Sequence, residues 1–287
     1  MNDAWYQDNL RNLIKNALAE DVGPGDYSTL SCVDPLARGQ AVLKVKEAGI
    51  LAGVEVAGSI FRYVQPDASM EVYKRDGDPV VPGDIAFTVT AAIRTILTCE
   101  RLVLNCMQRM SGIATLTRRY TARLEGYRTR LLDTRKTTPN FRLLEKEAVR
   151  IGGGYNHRFG LFDMIMLKDN HIDFCGGIDK AVSRARDYVR EKGLDLKIEV
   201  ETRTLDEVAA ALETQKVDRI LLDNFTPEMV AAALKMIGTA CETEASGGIT
   251  LENIERYAAT GVDFISSGAI IHHAGSLDLS LKARLIQ

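Results

Sequence analysis

A rhythm in the second half of the chain constrains the fold more than any other feature. Short apolar runs recur there, each ending in polar or ionisable residues: Leu131-Leu132-Asp133-Thr134-Arg135-Lys136, then Met164-Ile165-Met166-Leu167-Lys168. They continue as Ile198-Glu199-Val200-Glu201, Ile220-Leu221-Leu222-Asp223, Cys241 to Ser246-Gly247-Gly248, and Phe264-Ile265-Ser266-Ser267-Gly268-Ala269. Between them lie apolar patterns at helical spacing over 178–190, 205–213, 227–237 and 251–260. The run ends at 201, 223, 246 and 267 are 22, 23 and 21 residues apart, the length of one strand–helix unit. Repeated units with ionisable groups at the strand tips predict the face of a β/α barrel. An open doubly wound sheet has the same periodicity and is the alternative. Six units are recognisable rather than eight.

The first part of the chain reads differently. Trp5, Leu10, Leu13, Ile14 and Leu18 stand at helical spacing, and Gly23-Pro24-Gly25-Asp26 ends that helix. Strand-like segments follow at 41–46, 70–74 and 85–89, punctuated by Gly77-Asp78-Pro79 and Pro82-Gly83-Asp84. Residues 93–124 contain no proline and predict one long helix. The expected fold class is therefore α/β: an N-terminal α+β sandwich domain over 1–113, joined by 275–287, and a C-terminal incomplete (six- or seven-stranded) β/α barrel over 114–274.

Charge is distributed unevenly. Between Arg118 and Lys168 stand 12 Lys or Arg against five acids, a surplus of seven, although the whole chain carries −3. A basic stretch inside an acidic whole suits a focused field for a small anion rather than a nucleic-acid surface. Arg118, Arg119, Arg123, Arg142 and Lys146 read as a solvated helical face, whereas Arg135, Lys136, Arg158 and Lys168 sit at or near strand tips. With 46% hydrophobic residues the chain can bury a core. It has no run of about 18 apolar residues and no basic, apolar leader at its start. Five scattered cysteines without a C-x-x-C pair disfavour a zinc site or disulfides and suit a reducing cytoplasm. Cys99 and Cys106 read as small core residues.

In a barrel the strand tips converge, so Arg135, Lys136, His157, Arg158, Lys168, Glu201 and Asp223 would share one cavity. That much positive charge suits a ligand with several anionic groups, and arginine offers bidentate forks to carboxylate or phosphate. The turns Ser246-Gly247-Gly248 and Ser267-Gly268-Ala269 would expose backbone N–H groups to a phosphate. Glu201 and Asp223 could hold a divalent metal, hydrogen-bond sugar hydroxyls, or simply cap helices and pair with cations.

Several of these segments together resemble one family. Asp133-Thr134-Arg135-Lys136-Thr137-Thr138-Pro139 and the stretch from Gly152 through His157-Arg158 to Lys168-Asp169-Asn170-His171 are similar to the carboxylating nicotinate-nucleotide pyrophosphorylases, also called quinolinate phosphoribosyltransferases. So are Glu20 to Asp26, Glu100-Arg101 to Asn105, Gln108 to Thr115, Leu221 to Phe225 and Ala245 to Ile249. The likeness runs from about residue 20 to about residue 280. Asn140-Phe141 stands where the family more often has Gly-Leu, and Ala92 replaces a usual glycine.

The resemblance implies transfer of phosphoribose from 5-phosphoribosyl 1-pyrophosphate to quinolinate with decarboxylation, giving nicotinate mononucleotide for NAD biosynthesis. It implies that Arg135, His157, Arg158 and Lys168 face the dicarboxylate, beside Thr134, and that Arg101 reaches in from the neighbouring subunit of a homodimer. Lys136, Glu201 and Asp223 would serve the donor and its Mg²⁺, and the turns at 246–248 and 267–269 would hold phosphate. Lys136, Lys168, Glu201 and Asp223 carry the expected catalytic roles. Arg101, on a largely apolar helix face, could otherwise merely snorkel, and His171 reads as a residue that orients its neighbours. Three other readings compete: a related enzyme with a different anionic acceptor, a non-catalytic sensor of phosphorylated metabolites, and a Schiff-base lyase using Lys168. Neither a nucleic-acid nor a membrane partner is expected.

Overall fold

A computed structural model describes residues 3–284. Its chain forms two compact units, one from 1–118, 137–153 and 271–287, the other from 119–136 and 154–270. The expected joining segment 275–287 lies partly outside the described residues.

The first unit opens with α1 (Asp3–Val22), which buries Leu10 and Ile14. Asp26 caps α2 (Tyr27–Cys32) by accepting the Thr29 amide. Then come β1 (Arg38–Val45), β2 (Gly49–Ile50), α3 (Val54–Val64), β3 (Ser69–Val72), β4 (Pro79–Val80), β5 (Ile85–Ala92) and α4 (Ile93–Arg123). The antiparallel sheet has the order β12-β1-β5-β3, where β12 (Leu279–Arg284) pairs with β1 in the register Leu43–Leu281. It buries Leu43, Phe87 and Val89, and α3 adds Phe61, whose ring meets Phe87 edge-on at 6.5 Å. Each such fully buried side chain contributes roughly 1.5–3 kcal/mol.

Two features tie later chain to this unit. α5 (Arg142–Ile151) follows Asn140, whose φ of 62° is left-handed backbone. Glycine suits that position and asparagine is the next best tolerated, which accounts for the departure from Gly-Leu. Arg109 then donates to Glu145 on α5 at 3.0 and 2.9 Å and to the carbonyls of Ile271 and Ala274. Gly112 lies so close to the Gly275 carbonyl that a Cβ would overlap it. Lys146, expected on a solvated face, is buried, because α5 turns Leu143 to Lys146 inward together. Arg118, Arg119 and Arg123 are exposed, and Arg142 is half-buried against the Thr137 hydroxyl.

The second unit is an incomplete β/α barrel. Its parallel sheet has the order β6-β11-β10-β9-β8-β7, with β6 (Arg130–Leu132), β7 (Ile165–Leu167), β8 (Ile198–Thr202), β9 (Arg219–Asp223), β10 (Glu242–Ser246) and β11 (Phe264–Ser266). A further parallel bridge sets Tyr155 against Leu132, outside the six strands. The crossover helices include α6 (Asp169–Cys175), α7 (Ile178–Lys192), α8 (Leu205–Glu213), α9 (Pro227–Ile237) and α10 (Ile254–Ala258). Thr204 and Thr226 cap α8 and α9 by accepting the amides of Glu207 and Met229, and Pro227 occupies the first turn, where its missing N–H costs nothing. α10 starts later than the apolar spacing predicts, because Asn253 Oδ1 accepts the Thr250 amide and holds 250–253 as a turn. No helix among the described residues is long and apolar enough to cross a membrane.

Candidate active site

The strand tips of the barrel enclose a cavity of about 350 Å³. The loop after β6 supplies Thr134, Arg135 and Lys136, the Tyr155 segment supplies His157 and Arg158, and Lys168 follows β7. Glu201, Asp223 and Ser246 come from the ends of β8, β9 and β10. Nine of the residues singled out in the sequence therefore line one cavity. Met166, Leu221, Glu244 and Ser266 complete the lining. Arg101 is exposed on α4 and is not part of that lining, nor are Gly247, Gly248, Ser267, Gly268 and Ala269. Ser267 is buried, and its hydroxyl donates to the Ile249 carbonyl at 3.3 Å.

Local hydrogen bonds fix this arrangement. Buried Asp133 accepts the His157 amide at 2.8 Å and the Asn156 side chain at 2.6 Å, tying the 155–158 segment to the end of β6. Asp163 accepts the amides of Phe159 and Gly160 and closes the next loop. Arg158 Nη1 donates to the Met164 carbonyl at 3.2 Å. Burial, and then the like charge of Arg135, hold the Arg158 guanidinium below its ordinary value. Two guanidiniums that repel each other across a cavity favour an anion between them. Lys168 Nζ donates to Glu201 Oε2 at 2.6 Å, while its backbone amide donates to His171 Nδ1 at 3.0 Å. His171 thus orients the residue before α6.

At the end of β10, Gly247 has φ +93° and packs against Asn224, where a Cβ would collide with the carboxamide. Asn224 is itself left-handed at φ 58°, its amide donates to the Ser246 carbonyl, and its side chain donates to Asp223 Oδ2 at 2.7 Å. The Asp223 tip and the glycine turn are therefore built as one piece.

His157 and Glu244 of the lining belong to a charge network whose carboxylates and arginine the sequence reading did not pick out. Glu199 and Glu244 are fully buried, with Oε2 atoms 3.1 and 3.4 Å from His157 Nε2. Arg219 Nη1 donates to Glu244 at 3.0 Å, its Nε and Nη2 hold Glu242 at 3.3 and 3.1 Å, and its guanidinium stacks 4.1 Å from the Phe264 ring. Burial would lower the His157 pKa, but the two carboxylates outweigh it and push it up to about 9. The Arg158 amide pulls the other way by donating to Nδ1 at 2.6 Å, which favours an unprotonated nitrogen there. Both effects agree on the proton at Nε2, which faces the carboxylates. Burial and the neighbouring Glu244 raise the Glu199 pKa. The ligand atoms of His157, Glu199 and Glu244 lie within 4.8 Å of one another. Because Arg219 already neutralises Glu244, the cluster reads as an ion-pair network and not as a metal centre. Strand alternation carried the missing signal: Glu199 shares a face with Glu201, Glu244 with Ser246, and Arg219 with Asp223.

A larger cavity of about 860 Å³ opens at the opposite strand ends. Two of its cations pair with its own acids, Lys197 with Glu242 at 3.0 Å and Arg128 with Asp263 at 3.7 Å. The tip cavity gathers Arg135, Lys136, Arg158 and Lys168, and it does so where β/α barrels carry their chemistry. Fold and site together define a β/α-barrel protein with a cation-rich cavity beside two carboxylates at its strand tips.

Comparison with known proteins agrees with that class. The family model "Quinolinate phosphoribosyl transferase, N-terminal domain" matches residues 26–111, and the corresponding C-terminal domain model matches 113–282. A chloroplastic nicotinate-nucleotide pyrophosphorylase [carboxylating] of Arabidopsis thaliana is 44% identical, covering 95% of this chain and 82% of its own. A probable nicotinate-nucleotide pyrophosphorylase [carboxylating] of Synechocystis is 45% identical over 92% of this chain and 89% of its own. The solved structure of NadC from Streptococcus pyogenes superposes with a TM-score of 0.89 at 40% identity, covering 96% of each chain. The chain belongs to the quinolinate phosphoribosyltransferase family.

Proposed function

We infer that the tip cavity transfers phosphoribose from 5-phosphoribosyl 1-pyrophosphate to the ring nitrogen of quinolinate. Decarboxylation follows, giving nicotinate mononucleotide, pyrophosphate and carbon dioxide. The chain is a pentosyltransferase, the decarboxylating quinolinate phosphoribosyltransferase of NAD biosynthesis. The observation that carries the assignment is the convergence of Arg135, Lys136, Arg158 and Lys168 with Glu201 and Asp223 in one cavity.

The residue roles follow from charge and position. Quinolinate is a dianion, and Arg135, Arg158 and Lys168 are the cations to take its two carboxylates. Lys136, Glu201 and Asp223 serve the donor, with Ser246 and the 246–248 and 267–269 turns at its phosphate groups. The pyridine nitrogen brings its own lone pair, so no general base is required. As its bond to C1 forms and the C1–pyrophosphate bond breaks, positive charge builds on the ribose and negative charge on the leaving group. Glu201 or Asp223 stabilises the former and Lys136 the latter. The ribosylated ring is cationic, and its positive nitrogen stabilises the electron pair left on C2 when the carboxylate departs as carbon dioxide. A proton from solvent then takes up that pair to give the C2–H of the product. The chain's task in that step is to hold the ring, which falls to Arg135 and Arg158.

Glu201 and Asp223 stand at neighbouring strand tips and offer hard carboxylate oxygens, a donor set that fits Mg²⁺ directly or through water. Bound there, the ion would supply charge neutralisation for the pyrophosphate. We propose further that the protein works as a homodimer in which exposed Arg101 serves the partner's cavity. Arg101 is exposed and lies outside the lining of its own cavity, which leaves it available to a partner. We place the protein in the cytoplasm. All five cysteines are free, and burial pushes the Cys99 and Cys106 thiols up to about 12, as suits inert core residues.

The test is to incubate pure protein with quinolinate, 5-phosphoribosyl 1-pyrophosphate and Mg²⁺, and to follow product by absorbance and mass. Nicotinate mononucleotide forming only with all three supports the reading. Turnover of nicotinate but not quinolinate overturns the acceptor, and no turnover of any pyridine acid overturns the activity.

A further inference from the structure

We propose that Glu244, clamped by Arg219, is a positioning residue for the acceptor: through the His157 ring it sets the place of Arg158. The inference rests on the reading of the cavity as a quinolinate site and names residues outside its binding set.

The relay is continuous. Arg219 is almost fully buried, and its fork reaches two carboxylates on the same face of β10, Glu242 and Glu244, while Phe264 packs against its plane. A guanidinium held on three sides cannot follow a neighbour that moves, so Glu244 is fixed. Glu244 and Glu199 in turn face His157 Nε2 at 3.4 and 3.1 Å. The opposite ring nitrogen, Nδ1, accepts the Arg158 amide at 2.6 Å. His157 therefore has each ring nitrogen beside a protein group. It is a rigid spacer between a buried carboxylate pair and the backbone of Arg158, rather than a free ligand for substrate. At the far end, Arg158 Nη1 is tied to the Met164 carbonyl, so both ends of that residue are set from within the protein.

A purely structural role for the network would lower stability without distinguishing the two substrates. A positioning role moves one of them, because a displacement near 1 Å in a substrate-holding group costs up to about 100-fold. Glu244→Gln keeps the shape and removes the charge, and Arg219→Lys keeps the charge and removes the fork. Both are expected to raise the KM for quinolinate by about tenfold or more while the donor KM stays within about twofold, with Arg219→Lys the milder. The chain has four histidines, so the His157 nitrogens can be assigned by ¹⁵N NMR against a His157→Asn control. In the wild type Nε2 is expected to carry the proton and Nδ1 to be a bare acceptor.

Wild-type turnover of quinolinate is measured first; if it is absent, the functional reading fails and not this inference alone. If the wild type is active, the proposal is overturned by equal changes in both KM values, or by unchanged KM values in a folded variant. A proton found on Nδ1, with or without one on Nε2, overturns it as well, because a protonated Nδ1 cannot accept the Arg158 amide. Should Glu244→Gln not fold, Arg219→Lys and the wild-type spectrum decide.

Discussion

Lys168 Nζ lies 2.6 Å from Glu201 Oε2, across the neighbouring tips of β7 and β8. The lysine side chain is about half exposed, at 46%, and the glutamate only 12%, so the pair is screened on one side and held on the other. An exposed ion pair contributes about 0–1 kcal/mol, so this contact does little for stability. On the proposed roles, the ammonium stands between the residues assigned to the acceptor and those assigned to the donor.

Lys168→Ala is therefore expected to leave the thermal midpoint nearly unchanged and to lower kcat/KM for quinolinate by about 100-fold, or about 2.7 kcal/mol. Lys168→Arg should recover only part of this, since a planar fork does not replace a compact point charge. Steady-state kinetics with each substrate varied in turn decide the matter. A Lys168→Ala enzyme with near-wild-type kcat/KM would remove Lys168 from the site.

Removal of the divalent ion makes a second prediction. Chelation is expected to abolish turnover, and added Mg²⁺ to restore it. Asp223→Asn, which keeps the volume and the contact with Asn224, is expected to raise the Mg²⁺ needed for half-maximal activity by about tenfold. Activity that survives exhaustive chelation would show that Glu201 and Asp223 act only on the sugar.

Much of this site was legible because strand tips announce themselves: an apolar run that ends in Lys168, Glu201 or Asp223 has few other places to go. What stayed hidden was the charge network around His157. Glu199 reads as an interruption of a buried run, yet it lies two residues before Glu201 and so on the same face of β8, and the same holds for Glu244 and Ser246 on β10. Lys146 escaped for the opposite reason, since a lysine on an amphipathic helix suggests solvent while tertiary packing on α5 encloses it. Ser267 illustrates a third limit. The motif places it at a strand end, but whether Ser266 or Ser267 lines the cavity depends on a one-residue alternation that composition does not reveal.

The glycine turn after β10 yields a third prediction. Gly247 adopts φ +93° and abuts Asn224, so Gly247→Ala combines backbone strain with a collision. Such strain costs about 1–3 kcal/mol. Because Asn224 is bonded to Asp223, the damage should spread to the donor end of the cavity. The expected result is a higher KM for 5-phosphoribosyl 1-pyrophosphate with little change for quinolinate. Gly248→Ala, where a Cβ meets no atom within 4 Å and φ is +61°, should be the milder of the two. The reverse order would show that Gly247 is not what shapes the turn.

The last prediction concerns pH and the first unit. Asp26 accepts the Thr29 amide at 3.1 Å and the Thr29 hydroxyl at 2.5 Å, and those bonds hold its carboxyl below the usual range. A carboxylate whose pKa is lower folded than unfolded adds stability above its unfolded pKa. That contribution is lost as pH falls through the folded value. Asp26→Ala also removes the N-cap of α2, which is worth about 1 kcal/mol. At pH 7 this variant should melt about 2–4 °C below the wild type. Asp26→Asn, which can still accept the amide, should fall between the two. As pH drops into and below the carboxylate range the wild type loses its advantage first, and the gap to Asp26→Ala narrows. Thermal melts at pH 7, 5 and 3 read this directly. A gap that stayed constant or widened on acidification would mean that the cap acts through shape alone and that the charge on Asp26 contributes nothing to the fold.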